Sequence, residues 1–232
     1  VLNGESGYPA IAGSADGSQL AVELVANDHK DRWITSVDFA DHTLVTQNRL
    51  TDPAWINWSF NGLGWLSDNK TLWFESEASG WAQLFVKPLD GKARALTGTG
   101  FEVSTPVLSP DGKWFYLRSN KQAPYDYDVY RVPVAGGALE QVTHFEGADD
   151  FELSPDGAKL AVLHSSAYVP PQLAVVESDG SGAHDLTDTR TPDYKALSSL
   201  WTEPEFVKVP SSHGSFGIWS KFYKPKDYDT SH

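Results

Sequence analysis

The sequence predicts an all-β protein made of about four copies of one four-stranded unit. Three observations carry that prediction. A tight-turn motif recurs as Ser14-Ala15-Asp16-Gly17, Ser67-Asp68-Asn69, Ser109-Pro110-Asp111-Gly112 and Ser154-Pro155-Asp156-Gly157. A second marker follows each turn, at Leu50-Thr51, Leu96-Thr97, Val142-Thr143 and Leu186-Thr187, with spacings of 46, 46 and 44 residues. The segments between the markers are short, apolar and bounded by Gly-rich turns, and none has a 3.6-residue period of helical length. Two independent markers sharing a period of about 45 residues define a repeated structural unit.

Each unit opens on its turn. Proline presets the backbone at the second turn position, serine hydrogen-bonds back into the turn, and glycine tolerates the exit conformation. A strand follows: Leu20-Ala21-Val22-Glu23-Leu24, Thr71-Leu72-Trp73-Phe74, Lys113-Trp114-Phe115-Tyr116-Leu117 and Leu160-Ala161-Val162-Leu163. A second comes next: Trp33 to Val37, Gln83 to Val86, Asp128 to Val132 and Gln172 to Val176. Polar turns such as Leu89-Asp90-Gly91, Ala135-Gly136-Gly137 and Ser178-Asp179-Gly180 lead into the strand that closes the unit at its Leu-Thr marker. Four short antiparallel strands in about 45 residues is the pattern of a β-propeller blade. Nine Trp and eleven Phe supply the apolar bulk that stacked blades bury between them. A β-sandwich is the competing fold. The blades are placed at 13–51, 57–97, 101–143 and 147–187 within a propeller region 1–200, with 201–232 as following strands. Four blades either close a small ring or form half of a larger one. The start, Val1-Leu2-Asn3-Gly4, reads as the end of a strand entering a turn, which favours a fragment.

Composition narrows the function. The formal charge of −13 argues against nucleic acid and anionic membrane surfaces as partners. No apolar run approaches the roughly 20 residues of a membrane span, and no signal peptide is visible. With no Cys there are no disulfides or thiolate metal sites, and the chain also lacks Met. The seven His are scattered without the spacing of a metal site, and nothing calls for a cofactor.

Four features carry polar or aromatic chemistry. Glu75 and Glu77 flank Ser76 and point to one face of a strand, as a carboxylate pair near a channel or, more simply, as a blade-edge turn or inter-strand hydrogen-bond partner. Trp55, Trp58, Phe60 and Trp65 crowd one connection, as a platform for a sugar or proline ring or, more simply, as an aromatic plug between blades. Asp126-Tyr127-Asp128 after Tyr125 alternates carboxylates but lacks the rest of a calcium ligand set, so a solvated loop is the plainer reading. No G-x-S-x-G nucleophile elbow is present: Gly13-Ser14-Ala15-Asp16-Gly17, Gly180-Ser181-Gly182 and Gly214-Ser215-Phe216-Gly217 all miss its spacing.

The stretch Glu75 to Phe85 resembles the pattern Ser-Glu-x-x-Gly-aromatic-x-(His/Gln)-Leu-aromatic of the prolyl oligopeptidase family of serine peptidases, in its dipeptidyl-peptidase-IV-like branch. Ser119-Asn120 with Asp128-Val129-Tyr130 resembles that family's strand pair. Glu205 to Gly214 followed by Lys221 to Asp229 resembles its crossover from propeller into hydrolase domain. The resemblance implies the C-terminal half of a peptidase propeller. Its partners would be an α/β-hydrolase domain of the same parent chain and peptide substrates, in a periplasmic or secreted setting. It implies no catalytic residue here: the triad lies in the hydrolase domain, and the acids that anchor a substrate amine lie in blades preceding Val1. Trp58, Phe60, Glu75, Glu77 and Trp81 are the candidate substrate contacts. The alternative is a stand-alone TolB-like or WD-like propeller that binds a protein or carbohydrate.

Overall fold

A computed structural model describes residues 10–229. The Val1 to Gly4 strand end lies outside them. The chain is 48% strand and 4% helix. Blade 1 is the sheet β1 (Ile11–Gly13), β2 (Leu20–Val25), β3 (Asp31–Asp38) and β4 (Thr43–Thr51). Blade 2 is β5 (Leu63–Trp65), β6 (Thr71–Ser76), β7 (Gln83–Pro88) and β8 (Arg94–Ala95). Blade 3 is β9 (Val103–Leu108), β10 (Trp114–Ala123), β11 (Asp126–Pro133) and β12 (Glu140–Gln141). Blade 4 is β13 (Ala148–Leu153), β14 (Lys159–Ser166), β15 (Val169–Glu177) and β16 (His184–Asp185). Each blade is an antiparallel meander in chain order, and one parallel pairing of Tyr127 with Ala148 joins blades 3 and 4. This is the architecture of a propeller fragment.

The two sequence markers have distinct jobs. In three turns serine Oγ donates to the Asp two residues on, from Ser14 to Asp16, Ser109 to Asp111 and Ser154 to Asp156, at 2.6–2.8 Å. The same oxygen accepts the N–H of Gln19, Trp114 or Lys159, locking the entry to the next strand. Gly17, Gly112 and Gly157 hold φ of 69–73°, the left-handed region that glycine enters without penalty. Blade 2 differs. Leu66, not Ser67, takes the serine's place, because it is the Leu66 carbonyl that accepts the Asn69 N–H. Asp68 compensates by accepting from the Thr71 N–H and hydroxyl, and Asn69 supplies the positive φ of 55°.

The threonine marker caps the third strand of its blade. Oγ1 of Thr97, Thr143 and Thr187 accepts the N–H of Leu84, Val129 and Leu173 at 3.1, 2.8 and 2.9 Å. Thr97 also donates to Gln83 and Thr187 to Gln172, while Thr51 donates to Asp31 at the matching place in blade 1. A small β-branched hydroxyl fits there because it satisfies one strand's N–H while reaching a polar side chain at that strand's start.

Three apolar seams hold the blades face to face. Ala21 and Ile34 of blade 1 meet Trp65, Leu72 and Phe74 of blade 2, and the Trp65 indole donates to the Ala12 carbonyl at 2.9 Å. Leu84, Val86 and Leu96 meet Phe115, Leu117, Tyr130 and Val132 between blades 2 and 3. Tyr116, Val129 and Val142 meet Phe151, Leu160, Val162, Ala174 and Val176 between blades 3 and 4. Alternation along β10 sends Phe115 and Leu117 one way and Tyr116 the other. An inner blade buries both faces, so its strand reads as a continuous apolar run. In β14, Leu160 and Val162 are buried while Ala161 and Leu163 are exposed, so that strand alternates.

After blade 4 the chain makes a short helix α1 (Pro192–Leu197), capped by the Thr191 hydroxyl on the Tyr194 N–H, with proline in its first turn. Trp201 stacks on Tyr168 at 5.1 Å and meets Tyr194 edge-on at 4.4 Å, pinning this segment across the end of blade 4. The hairpin β17 (Glu205–Pro210) and β18 (Gly217–Phe222) follows.

Candidate functional site

Antiparallel meanders put every turn between second and third strands at the same end as the connections between blades. The Val103 N–H donates to the Ala82 carbonyl, and the Tyr127 N–H to the Gly147 carbonyl, tying these loops into one surface. Trp58 and Phe60 lie in the connection before β5, and Glu77 and Trp81 in the turn after β6. The hairpin reaches this end as well: Phe206 stacks on Tyr125 at 3.6 Å and 5°, and Trp219 meets that ring edge-on.

Glu75 and Glu77 both close on the 57–62 connection. Glu75 Oε2 accepts the Gly62 N–H at 2.9 Å, and Glu77 Oε2 accepts the Asn57 N–H at 3.2 Å. Gly62 is glycine for a steric reason: a Cβ there would lie 2.6 Å from Glu75 Oε2. Glu75 is buried and Glu77 half-buried, so the pair clamps the aromatic connection. Trp58 meets His29 edge-on at 5.4 Å and its carbonyl accepts from Asn61; Phe60 is half-buried, and Trp81 is exposed at the rim.

Arg32 organises this region and is not among the residues expected from the sequence. From β3 of blade 1 its guanidinium donates to the Phe60 carbonyl at 2.9 Å, the Asn61 side chain at 2.7 Å and the Glu75 carbonyl at 2.6 Å. It is 1% exposed, and Glu23 on the neighbouring strand is 0% exposed with neither carboxylate oxygen hydrogen-bonded. Burial pushes Glu23 up to about 7 against the pull of Arg32. Burial likewise pushes Glu75 up to about 7, opposed by the Gly62 N–H and then by Arg32. Glu77 is raised by burial and by the charges of Glu102 and Asp52. The only sequence signal for Arg32 is position: it shares the inward face of β3 with Ile34.

A second relay runs along the same end. The Glu102 N–H donates to Asn120, Asn120 to the Tyr127 hydroxyl, and that hydroxyl to Glu102 Oε2. The Asp126-Tyr127-Asp128 carboxylates do not converge as ligands: Asp126 accepts from the Gly147 N–H and Asp128 from Gln141. Among the described residues no group of three His, Asp or Glu is arranged to hold a metal, and no helix is long and apolar enough to cross a membrane.

The chain is similar to known proteins over most of its length. Residues 10–171 match the family described as the dipeptidyl peptidase IV (DPP IV) N-terminal region. The crystal structure of Porphyromonas gingivalis dipeptidyl peptidase 4 superposes with a TM-score of 0.76 at 18% identity, over 94% of this chain and 31% of that one. A Bacteroides ovatus protein described as a dipeptidyl aminopeptidase IV gives 0.76 at 15% identity, over 96% and 34%. TolB from Acinetobacter baumannii gives 0.53 at 19% identity, over 78% and 44%. The chain thus spans about a third of the length of the two dipeptidyl peptidase structures.

Proposed function

The chain belongs to the family of dipeptidyl peptidase IV N-terminal regions, and on that premise we propose that it walls the active-site cavity of a serine peptidase and limits entry to short peptides. The exclusion is steric: a narrow, rigid vestibule admits a peptide end and rejects a folded domain. Catalysis would belong to an α/β-hydrolase domain of the same parent chain, since this stretch carries no nucleophile elbow.

The hairpin β17–β18 is the observation that carries the reading. Val209, Ile218 and Phe222 are exposed together on one face of this two-stranded sheet, opposite the face whose Phe206 and Trp219 meet Tyr125. An isolated hairpin is marginal in water, and an exposed apolar face of this kind marks an interaction surface. Its anchorage on Tyr125 sets it at the end that presents Trp58, Phe60, Glu77 and Trp81. A hydrolase sheet extending this hairpin would face that rim. Trp58, Phe60 and Trp81 would then offer apolar contact to a bound peptide and Glu77 a carboxylate, while Glu75 and Arg32 hold the connection in place.

The likeness to TolB favours a second reading, a non-catalytic scaffold for a protein or carbohydrate. It covers less of the chain than the dipeptidyl peptidase likeness and leaves the exposed hairpin without a role. A length series tests the first reading: the native protein is offered one cleavable sequence in peptides of increasing length and then inside a folded domain. Turnover should persist for the short peptides and vanish for the folded host. Equal cleavage of the folded host, or no cleavage of any peptide, would sink the proposal.

A further inference from the structure

A cavity of about 680 Å³ opens where blade 3, blade 4 and the hairpin meet. That volume falls in the range of small-ligand sites, about 300–1,000 Å³. Tyr125 and Phe206 wall one side as a stacked pair. Tyr168 walls another, its ring held by Trp201 and its hydroxyl by the Thr202 carbonyl. The aromatic walls are therefore fixed by packing before any ligand arrives.

The charge lining this cavity is unbalanced. Asp126, Glu146 and Glu203 contribute carboxylates, and among the described residues none of the three has an ion-pair partner. Lys221 is the one basic residue of the lining, and its ammonium lies over the Phe206 and Tyr223 rings at 5.8 and 5.6 Å. Behind the Asp126 wall, next to the lining residue Ala148, Asp149 is 1% exposed, and burial pushes its carboxyl up to about 6 against the pull of the Thr143 hydroxyl and of Arg118. Asp128 beside it accepts from the Gln141 amide at 2.8 Å. Burial, and after it the charges of Asp126 and Asp149, push Asp128 up to about 7.

We propose that this cavity binds the basic side chain of a peptide, a lysine or an arginine. Its alkyl stem lies along the aromatic walls while its charged head meets Asp126, Glu146 and Glu203. A long cationic side chain matches both halves of the lining, since its stem is apolar and its head is drawn to ring faces as well as to carboxylates. A neutral or acidic side chain of the same length satisfies only the walls. That the ligand is a peptide rests on the reading above; that its head is cationic rests on the cavity alone.

The test is equilibrium binding, read by calorimetry on the native protein and not by turnover. The probes are the tripeptides Ala-Arg-Ala, Ala-Lys-Ala and Ala-Gln-Ala, each acetylated at the N-terminus and amidated at the C-terminus, so that no terminal charge contributes. The basic peptides should bind about tenfold tighter than the glutamine peptide, a preference that weakens as salt rises. Glu146→Gln and Glu203→Gln alter exposed side chains and should each lower that preference without changing the glutamine peptide's affinity. Asp126→Asn keeps an oxygen for the Gly147 N–H and should act the same way. Equal affinity for all three peptides, or a preference untouched by these substitutions, overturns the cationic site while leaving the peptidase reading standing. Absence of any peptide binding also overturns it, and serine labelling then judges the peptidase reading separately.

Discussion

Replacing the marker threonines by valine should cost different amounts in different blades, although the hydrogen bond removed is the same. Valine keeps the shape of threonine and deletes only the hydroxyl. At Thr143, which is 2% exposed, this orphans the N–H of Val129, a residue at 0% exposure, and takes the hydroxyl away from the buried Asp128 and Asp149 carboxyls. A buried donor left unpaired costs about 1–3 kcal/mol. At Thr97 the Leu84 N–H likewise loses its acceptor and Gln83 loses its donor, and both residues are buried. At Thr187 the affected N–H belongs to Leu173, which is 37% exposed, so water can replace the hydroxyl. Gln172 also keeps the Thr189 N–H as a partner. There the cost should stay within about 0–1 kcal/mol. For a chain of this size each kcal/mol moves the melting temperature by about 2–4 °C. Thermal and urea unfolding of the three variants should therefore rank Thr97→Val and Thr143→Val well below Thr187→Val. Equal losses at Thr143 and Thr187 would refute the argument that burial of the orphaned N–H sets the cost.

Other perturbations follow from the same geometry. Glu23 ionises near pH 7 in the folded chain against an ordinary 4.5, so the folded state holds an extra proton between those values and stability falls as pH rises through that window. Glu23→Gln should flatten part of that slope in urea titrations at about pH 5 and pH 8, leaving the shares due to Glu75, Asp128 and Asp149, whose carboxyls are raised in the same window. Arg32→Met strands three acceptors and two buried carboxylates, and chemical denaturation should show a loss of about 3–5 kcal/mol. Gly147→Ala places a Cβ 2.2 Å from the Ser165 carbonyl oxygen at a φ of 102°, and should cost at least about 1–3 kcal/mol in the same assay. Tyr125→Ala removes the ring that seats the hairpin, so hydrogen exchange should accelerate across Glu205–Phe222 while β6 and β10 stay protected.

The repeat was legible because turn chemistry and capping threonines are local: each works within one blade, and each blade needs both. Ser67 misleads by one place for the same reason, since Asp68 and Asn69 perform the turn's work without the leading serine. The helix Pro192–Leu197 is too short to show an apolar period, and its readable signal is the Thr191-Pro192 start alone. Glu75 and Glu77 were readable as a same-side pair, but not as a clamp on the preceding connection. Their tie to Arg32 spans two blades, and blade-to-blade facing has no imprint in spacing. The cavity beneath the hairpin was invisible for a related reason: Tyr125, Glu146, Tyr168 and Glu203 come from four separate segments. Tyr125 and Asp126 are adjacent in the sequence, and there they read as part of a solvated acidic loop.

The account turns on whether this propeller serves a serine peptidase. The direct measurement is to treat the native protein with a fluorophosphonate probe and map the label by peptide mass spectrometry. The account predicts one labelled serine, inside a G-x-S-x-G motif, on the same polypeptide as these blades. A native polypeptide that carries the blades and takes no label would contradict it and turn attention to the scaffold reading.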